Sequence, residues 1–285
     1  MGYKTVIIDE CSMLTEEMLA ATLQHLKRVE RLILVGDYRQ LPPIGAGRPF
    51  FDIINYIKPE GIENQFPKIG ESYIELTASA RQVKVDKEKR FDTDFANLFG
   101  GNIKENNADS IFEKVISGKS ENIKIFNWNN ESDFENVLFN VLENELGITD
   151  EASFNKSIGA NDAGFFNWRE SVKSVENWQL LSPIKSKVFG TNQLNRGLHQ
   201  KFKKDALHWA YNGKKTPKPL GIENIIYGDK VINLQNGKRD KGTYPNDGIN
   251  YLANGEIGVA VGRTNWKNTK WKGKQPYQLE VEFSS

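Results

Sequence analysis

The first 45 residues set short apolar runs around one amphipathic stretch. Val6, Ile7 and Ile8 form a β-branched run within residues 4–9, the pattern of a strand buried on both faces of a parallel sheet. Thr15 followed by Glu16 and Glu17 marks a helix start, with acids where the helix dipole favours them. Leu19, Leu23 and Leu26 supply that helix with an apolar face. Residues 31–37 (RLILVGD) repeat the buried-strand pattern. Strand, helix, strand with acidic residues at both strand ends predicts an α/β fold with a site at the carboxyl edge of a parallel sheet.

Prolines and glycines make residues 40–47 a loop, residues 58–72 read as irregular, and residues 73–76 return to a strand pattern. Two helices are predicted between Phe91 and Gly118, the second with Ile111, Phe112, Val115 and Ile116 on its apolar face. Residues 123–126 (IKIF) read as a strand. Phe134, Val137, Leu138, Val141 and Leu142 then keep helical spacing. Residues 149–175 are polar and read as a surface insertion. Residues 178–183 read as a strand, and Thr191 as the cap of a helix carrying Leu194, Leu198 and Phe202. Beyond a linker at 216–219 the pattern turns all-β, with runs at 230–234, 256–261 and 279–283 that suit a small barrel.

With 38% hydrophobic and 26% charged residues in 285, the chain has material for about two packed domains. A single cysteine, Cys11, excludes an intrachain disulfide and fits a cytoplasmic setting. No apolar run nears the ~18 residues of a membrane span, and no leader pattern opens the chain. The net charge of +1 conceals a split: residues 1–184 hold 20 Lys and Arg against 29 Asp and Glu, and residues 185–285 hold 18 against 8. The basic part suits a polyanion partner, or is simply a solvated surface.

Candidate chemistry begins where the first strand delivers Asp9 and Glu10. Nucleotide hydrolysis uses one carboxylate for Mg²⁺ and another to orient the attacking water. Adjacent acids at a strand end also occur with no such role. Gly36-Asp37-Tyr38-Arg39-Gln40-Leu41-Pro42-Pro43 follows the next strand, where a glutamine in a stiff loop can reach a phosphate or the lytic water. Arg81, just past a strand, offers the permanent planar charge suited to a transferring phosphoryl group. The three histidines are scattered, and Cys11 reads as a small core residue.

Taken together, Asp9-Glu10-Cys11-Ser12-Met13, the Gly36-to-Pro43 tract and Leu76-Thr77-Ala78-Ser79-Ala80-Arg81-Gln82 resemble motifs II, III and IV of superfamily 1 DNA helicases. Gly45-Ala46-Gly47-Arg48-Pro49-Phe50 looks like the RecD type, the exonuclease V alpha subunit and its relatives. Residues 181–183 with 190–195 are similar to part of the second RecA-like domain of that family, and residues 227–231 with 254–258 to its SH3-like insertion. The resemblance implies an α/β fold of partial RecA-like domains with parallel sheets plus a small SH3-like β-barrel. It implies three segments: 1–82, the later part of the first RecA-like domain; 83–217, part of the second with the 149–175 insertion; and 218–285, the barrel.

The same resemblance implies roles. Asp9 would bind Mg²⁺ and Glu10 would be the general base of ATP hydrolysis. Gln40 would sense the γ-phosphate, Arg81 would be an arginine finger, and Asp37 would support the phosphate-facing edge. The implied activity is ATP-driven 5′ to 3′ movement along single-stranded DNA and duplex unwinding, with other exonuclease V-type subunits as further partners. Thr191 and Asn195 are strand contacts by analogy. Lys201, Lys203, Lys204, Lys214, Lys215 and Lys218, and then Lys238, Arg239 and Lys241, supply positive charge. Trp266 and Trp271, set among lysines, either stack bases or pack a barrel edge.

A motor of this kind also needs a phosphate-cradling Gly-x-x-x-x-Gly-Lys-Ser/Thr loop, which the sequence lacks; Gly118-Lys119-Ser120 has Glu113 where that loop needs glycine. A later T-x-H-K-x-Q-G-type motif is also missing. The expectation is an internal piece of a longer helicase, inactive as an ATPase by itself. The second reading, from a different class, is a non-catalytic nucleic-acid-binding or scaffold module with a degenerate ATP site.

Overall fold

The two apolar runs at the start of the chain pair as strands. In the computed structural model, which describes residues 3–76, 91–99, 105–120, 122–213, 217–238, 251–265 and 277–284, β1 (Thr5–Ile8) and α1 (Glu16–His25) precede β2 (Arg31–Leu34). β1 and β2 run parallel, with Thr5 opposite Arg31 and Ile8 opposite Leu34. Thr15 caps α1 as expected, its hydroxyl accepting the Met18 amide at 3.2 Å. Burial on both faces is corrected, because exposure alternates along both strands. Val6, Ile8, Leu32 and Leu34 face inward, whereas Ile7 is 64% exposed and α1 buries none of its residues.

The covered face rests on α2 (Pro49–Ile57), a helix the hydropathy pattern did not single out. Pro49 sits in the first turn, where its missing N–H leaves no bond unmade, and Phe50 and Ile54 are buried one turn apart. They join Cys11, Ile62 and Tyr73 in a core against which Ile8 and Leu34 pack. A short antiparallel pair follows, β3 (Lys68–Ile69) and β4 (Ile74–Glu75). Then come α3 (Phe91–Phe99) and α4 (Glu105–Ile116), the two expected helices, with the Phe95 and Phe112 rings stacked at 6.4 Å. The expected strand at 123–126 does not form; Ile125 and Phe126 are about half exposed and join no sheet. Strand propensity needs a neighbouring ladder to be realised.

Contacts divide the chain at this point into two compact units, Met1–Ile125 and Phe126–Ser285. The second opens with α5 (Glu131–Leu146), capped by the Asn130 side chain and ended by Gly147 at φ 66°, where a Cβ would be strained. α6 (Glu151–Ser157) starts from an Asp150–Ser153 capping box. α7 (Thr191–Phe202) and α8 (Lys204–Asn212) meet at Lys203. The cap of α7 is Gly190 rather than Thr191, and the Ile184 and Lys185 carbonyls accept the first amides of the helix. β5 (Lys230–Ile232) begins the β part, followed by β6 (Gly237–Lys238), β7 (Tyr251–Leu252), β8 (Ile257–Asn265) and β9 (Tyr277–Phe283). β8 is the middle of an antiparallel β5–β8–β9 sheet, and β6 pairs with β7.

Residues 149–175 are not confined to the surface, where the sequence pattern leads us to expect them. Phe154, Ile158, Ala160, Phe166 and Val175 are buried in one core with Leu142, Phe202, Val259 and Val261. Their polar neighbours are loop and cap residues, which hide a sparse apolar set from a hydropathy reading. The expected strand at 178–183 also lacks a ladder: the Trp178 carbonyl accepts the Lys230 ammonium at 2.6 Å, and its indole donates to Ser157 Oγ at 3.1 Å.

Lys203 lies inside this core, 1% exposed. Its ammonium donates to the Gly228 carbonyl at 3.0 Å, sits 3.9 Å from Asp229 Oδ1 and lies within 6 Å of the Phe154 and Phe166 rings. Asp229 in turn accepts the Ile226 amide at 2.8 Å and meets His199 Nε2 at 3.0 Å. Burial pushes the Lys203 ammonium below its ordinary value of 10.5, with Asp229 and Glu151 opposing. The unfolded chain therefore binds more protons between the lowered value and 10.5, so stability of this unit rises with pH across that window. Lys203→Met should remove this slope from urea-unfolding curves taken at stepped pH. Asp229→Ala, which strands the buried cation, should destabilise by about 3–5 kcal/mol.

Candidate functional site

The parallel register brings the carboxyl ends of β1 and β2 together. The ladder runs one step past each strand, with Val35 N donating to Ile8 O at 2.8 Å and Cys11 N to Val35 O at 2.9 Å. Gly36 then passes so close to the first chain that a Cβ there would lie 3.0 Å from the Cys11 and Ser12 amide nitrogens. Asp9-Glu10 and Gly36-Asp37 consequently leave the sheet at the same edge.

Glu10 turns the chain at φ 55°, ψ 39°, a left-handed geometry uncommon for a residue with a side chain. Its amide donates to Asp9 Oδ1 at 2.9 Å, and both carboxylates are exposed. Cys11 behind them is fully buried. Burial pushes its thiol above the ordinary 9.0, and the adjacent carboxylates act in the same direction, which suits a core residue and not a nucleophile.

Asp37 shapes the next turn. Its Oδ1 accepts the Arg39 amide at 3.1 Å, and its carbonyl accepts the Gln40 amide at 3.1 Å. Gln40 itself is exposed, and its loop is held at Tyr38, which packs against the core and against the Phe51 ring at 5.9 Å. Ser12, Tyr38, Gln40, Pro42, Arg48 and Phe50 line a narrow cleft. The Ser12 hydroxyl is buried there with no hydrogen-bond partner among the described residues.

A charged network lies behind the turn. Arg39 Nη2 donates to Glu75 Oε1 at 2.8 Å, while Glu75 Oε2 accepts Tyr73 Oη at 2.9 Å and Lys68 Nζ at 3.3 Å. Lys68 and Lys58 both pair with Glu63. Burial raises the Glu75 carboxyl, but the bonds from Tyr73, Arg39 and Lys68 outweigh it and hold the group below its ordinary 4.5. The sequence assigns no role to Arg39, Tyr73 or Glu75, because the contact joins positions 36 apart and its one local sign is a charge within the 73–76 strand pattern.

Hard oxygen donors at an exposed strand edge fit Mg²⁺, which takes one or two carboxylates and fills its octahedron with water and phosphate. Asp9 is such a donor, exposed beside Glu10, and the described residues hold no cluster of three metal-ligating side chains. Arg81 lies outside the described residues, as do Arg239, Lys241, Trp266, Trp271, Lys214 and Lys215.

Thr191 is half-buried at the start of α7, with Asn195 exposed one turn on along the same helix face. Lys238 is exposed on β6, opposite Tyr251. Buried Lys203 is withdrawn from the basic surface, and the Lys218 ammonium is engaged by the Tyr211 and Gly213 carbonyls. No helix among the described residues is long and apolar enough to cross a membrane.

The backbone at this edge makes two opposite expectations. Gly36→Ala should cost about 1–3 kcal/mol through its clash with the Cys11–Ser12 backbone. Glu10→Gly should keep or raise stability by up to about 1 kcal/mol, since glycine tolerates the left-handed geometry. Urea midpoints of the two variants check both.

The chain is 28% identical over 312 aligned positions to the uncharacterized protein MJ1519 of Methanocaldococcus jannaschii, covering 98% of this chain and 23% of that one. It is 25% identical to the RecBCD enzyme subunit RecD of Buchnera aphidicola subsp. Schizaphis graminum, over 70% of this chain and 33% of the subunit. The same subunit from Buchnera aphidicola subsp. Acyrthosiphon pisum is also 25% identical, over 81% of this chain and 39% of the subunit. The chain thus spans between 23% and 39% of the length of these relatives. Residues 2–89, which contain both strand ends and the Gln40 turn, match the family described as the AAA domain.

Proposed function

We propose that this chain is the part of a RecD-type, ATP-dependent DNA helicase that carries the hydrolytic edge of its first motor domain. The observation that carries the reading is the meeting of Asp9-Glu10 and the Asp37–Gln40 turn at the ends of two parallel strands. The AAA-domain match over residues 2–89 and the similarity to RecD subunits support it.

On this reading Asp9 holds Mg²⁺ and Glu10, whose direction is set by its backbone, takes the proton of the attacking water. Gln40 contacts the γ-phosphate from its turn, Asp37 fixes that turn, and Arg81 answers charge developing on the transferred group. Bound Mg²⁺ and ATP supply the electrophilic phosphorus and its charge neutralisation. The Gly-x-x-x-x-Gly-Lys-Ser/Thr phosphate cradle that such a motor uses has no counterpart in these 285 residues.

The motor moves 5′ to 3′ on single-stranded DNA, with residues 1–82 and 83–217 belonging to two RecA-like domains and 218–285 to an SH3-like barrel. Thr191, Asn195, Lys238, Arg239, Lys241, Trp266 and Trp271 contact the strand, chiefly through phosphate and stacking. The setting is cytoplasmic, and exonuclease V-type subunits are further partners.

Single-stranded-DNA-stimulated ATP hydrolysis tests the proposal, comparing this chain with the same chain joined to its flanking coding sequence. Activity is expected only in the longer protein, and Glu10→Gln should lower its kcat by about 10²–10⁴-fold. A longer protein with no ATPase activity would instead favour a non-catalytic DNA-binding module.

A further inference from the structure

The Gln40 loop has little packing of its own: Gln40 is exposed, Leu41 is 85% exposed and Ile44 99%. Turn bonds to Asp37 close the loop locally but do not fix it to the rest of its unit. Tyr38 provides one anchor through the core. The residue directly before Gln40 provides another. Arg39 folds over the Tyr38 ring, with its guanidinium carbon 5.0 Å from the centroid, and reaches Glu75 on β4, 36 positions away in sequence.

That partner is itself immobilised. Both Glu75 oxygens are occupied, one by Arg39 and the other by Tyr73 and Lys68, and the Glu75 side chain is only 11% exposed. A surface ion pair between two free side chains would contribute little, but this one ends on a carboxylate fixed by two other donors. Arg39 Nε is buried without a hydrogen-bond partner, so the guanidinium is held by its contacts to Tyr38 and Glu75 alone among the described residues.

We infer that Arg39 is a positioning residue for Gln40, its ion pair with Glu75 tying the Gln40 turn to β4 and so fixing where the Gln40 amide points. The inference rests on the proposed ATPase reading for its effect on turnover, but the tether itself can be read without catalysis. Small displacements of an orienting group lower turnover steeply while leaving ground-state binding nearly intact.

Two measurements test it on Arg39→Met, Arg39→Lys and Glu75→Gln. In this chain, amide hydrogen exchange followed by NMR should speed up at Arg39, Gln40 and Leu41 in Arg39→Met and Glu75→Gln, with α2 unchanged as an internal check on folding. Unchanged exchange at the turn overturns the inference whatever the enzymology. In the longer protein, Arg39→Met and Glu75→Gln should each lower kcat about ten- to a hundredfold with KM for ATP within about twofold, and Arg39→Lys should recover part of the loss. Arg39→Met added to Gln40→Ala should cost little more than Gln40→Ala alone. Independent, additive losses would overturn positioning through Gln40. Faster exchange in a longer protein that hydrolyses no ATP would leave the tether standing and remove the ATPase reading instead.

Discussion

The first unit depends on the close passage of Gly36 across the Cys11–Ser12 backbone. Two parallel strands alone would end at similar heights, but their loops would be free to diverge. The Cys11–Val35 hydrogen bond and the absence of a side chain at residue 36 keep the two exits in contact. Every proposed function of the edge follows from that contact, because it sets two carboxylates and a glutamine-bearing turn side by side. The core beneath, from Phe50 and Ile54 to Tyr73, supplies the support.

The second unit is organised around a different constraint, a cation in an aromatic core. Lys203 breaks the run of α7 into α8 and directs its ammonium at the carbonyl of Gly228, a residue at φ 83° that lies against the Phe166 ring. Tyr227 bonds both the amide and the carbonyl of Phe166, closing the same corner. Helical and β segments are therefore stitched by polar contacts inside an otherwise apolar core, an arrangement that selects one packing over its alternatives.

Legibility in the sequence followed locality. The β1–α1–β2 order, the helices at Phe91–Phe99, Glu105–Ile116 and Glu131–Leu146, and the strands of the β5–β8–β9 sheet could be read because their apolar periods or runs are uninterrupted. The runs at 123–126 and 178–183 misled, since their composition suits a strand and no neighbour supplies the ladder. Residues 149–175 misled in the other direction: a capping box and loop amides dilute the few apolar residues that fill the core. At the candidate site, Asp9, Glu10 and Gln40 stood out through their chemistry and place after strands. Glu75 did not, because its significance lies in three donors that arrive from other parts of the chain.

The shared core of the second unit also has a kinetic side. Leu142 and Phe154 lie more than a hundred residues before Val259 and Val261, yet all four belong to one buried cluster. The α5–Gly147–α6 corner can form early, from neighbours in sequence. The hydrophobic gain that secures it arrives only when a long chain segment closes and β8 docks. Until then the cluster around Phe166, Val175 and Phe202 lacks the cover of Val259 and Val261, so on a ribosome its burial is completed only after β8 has emerged.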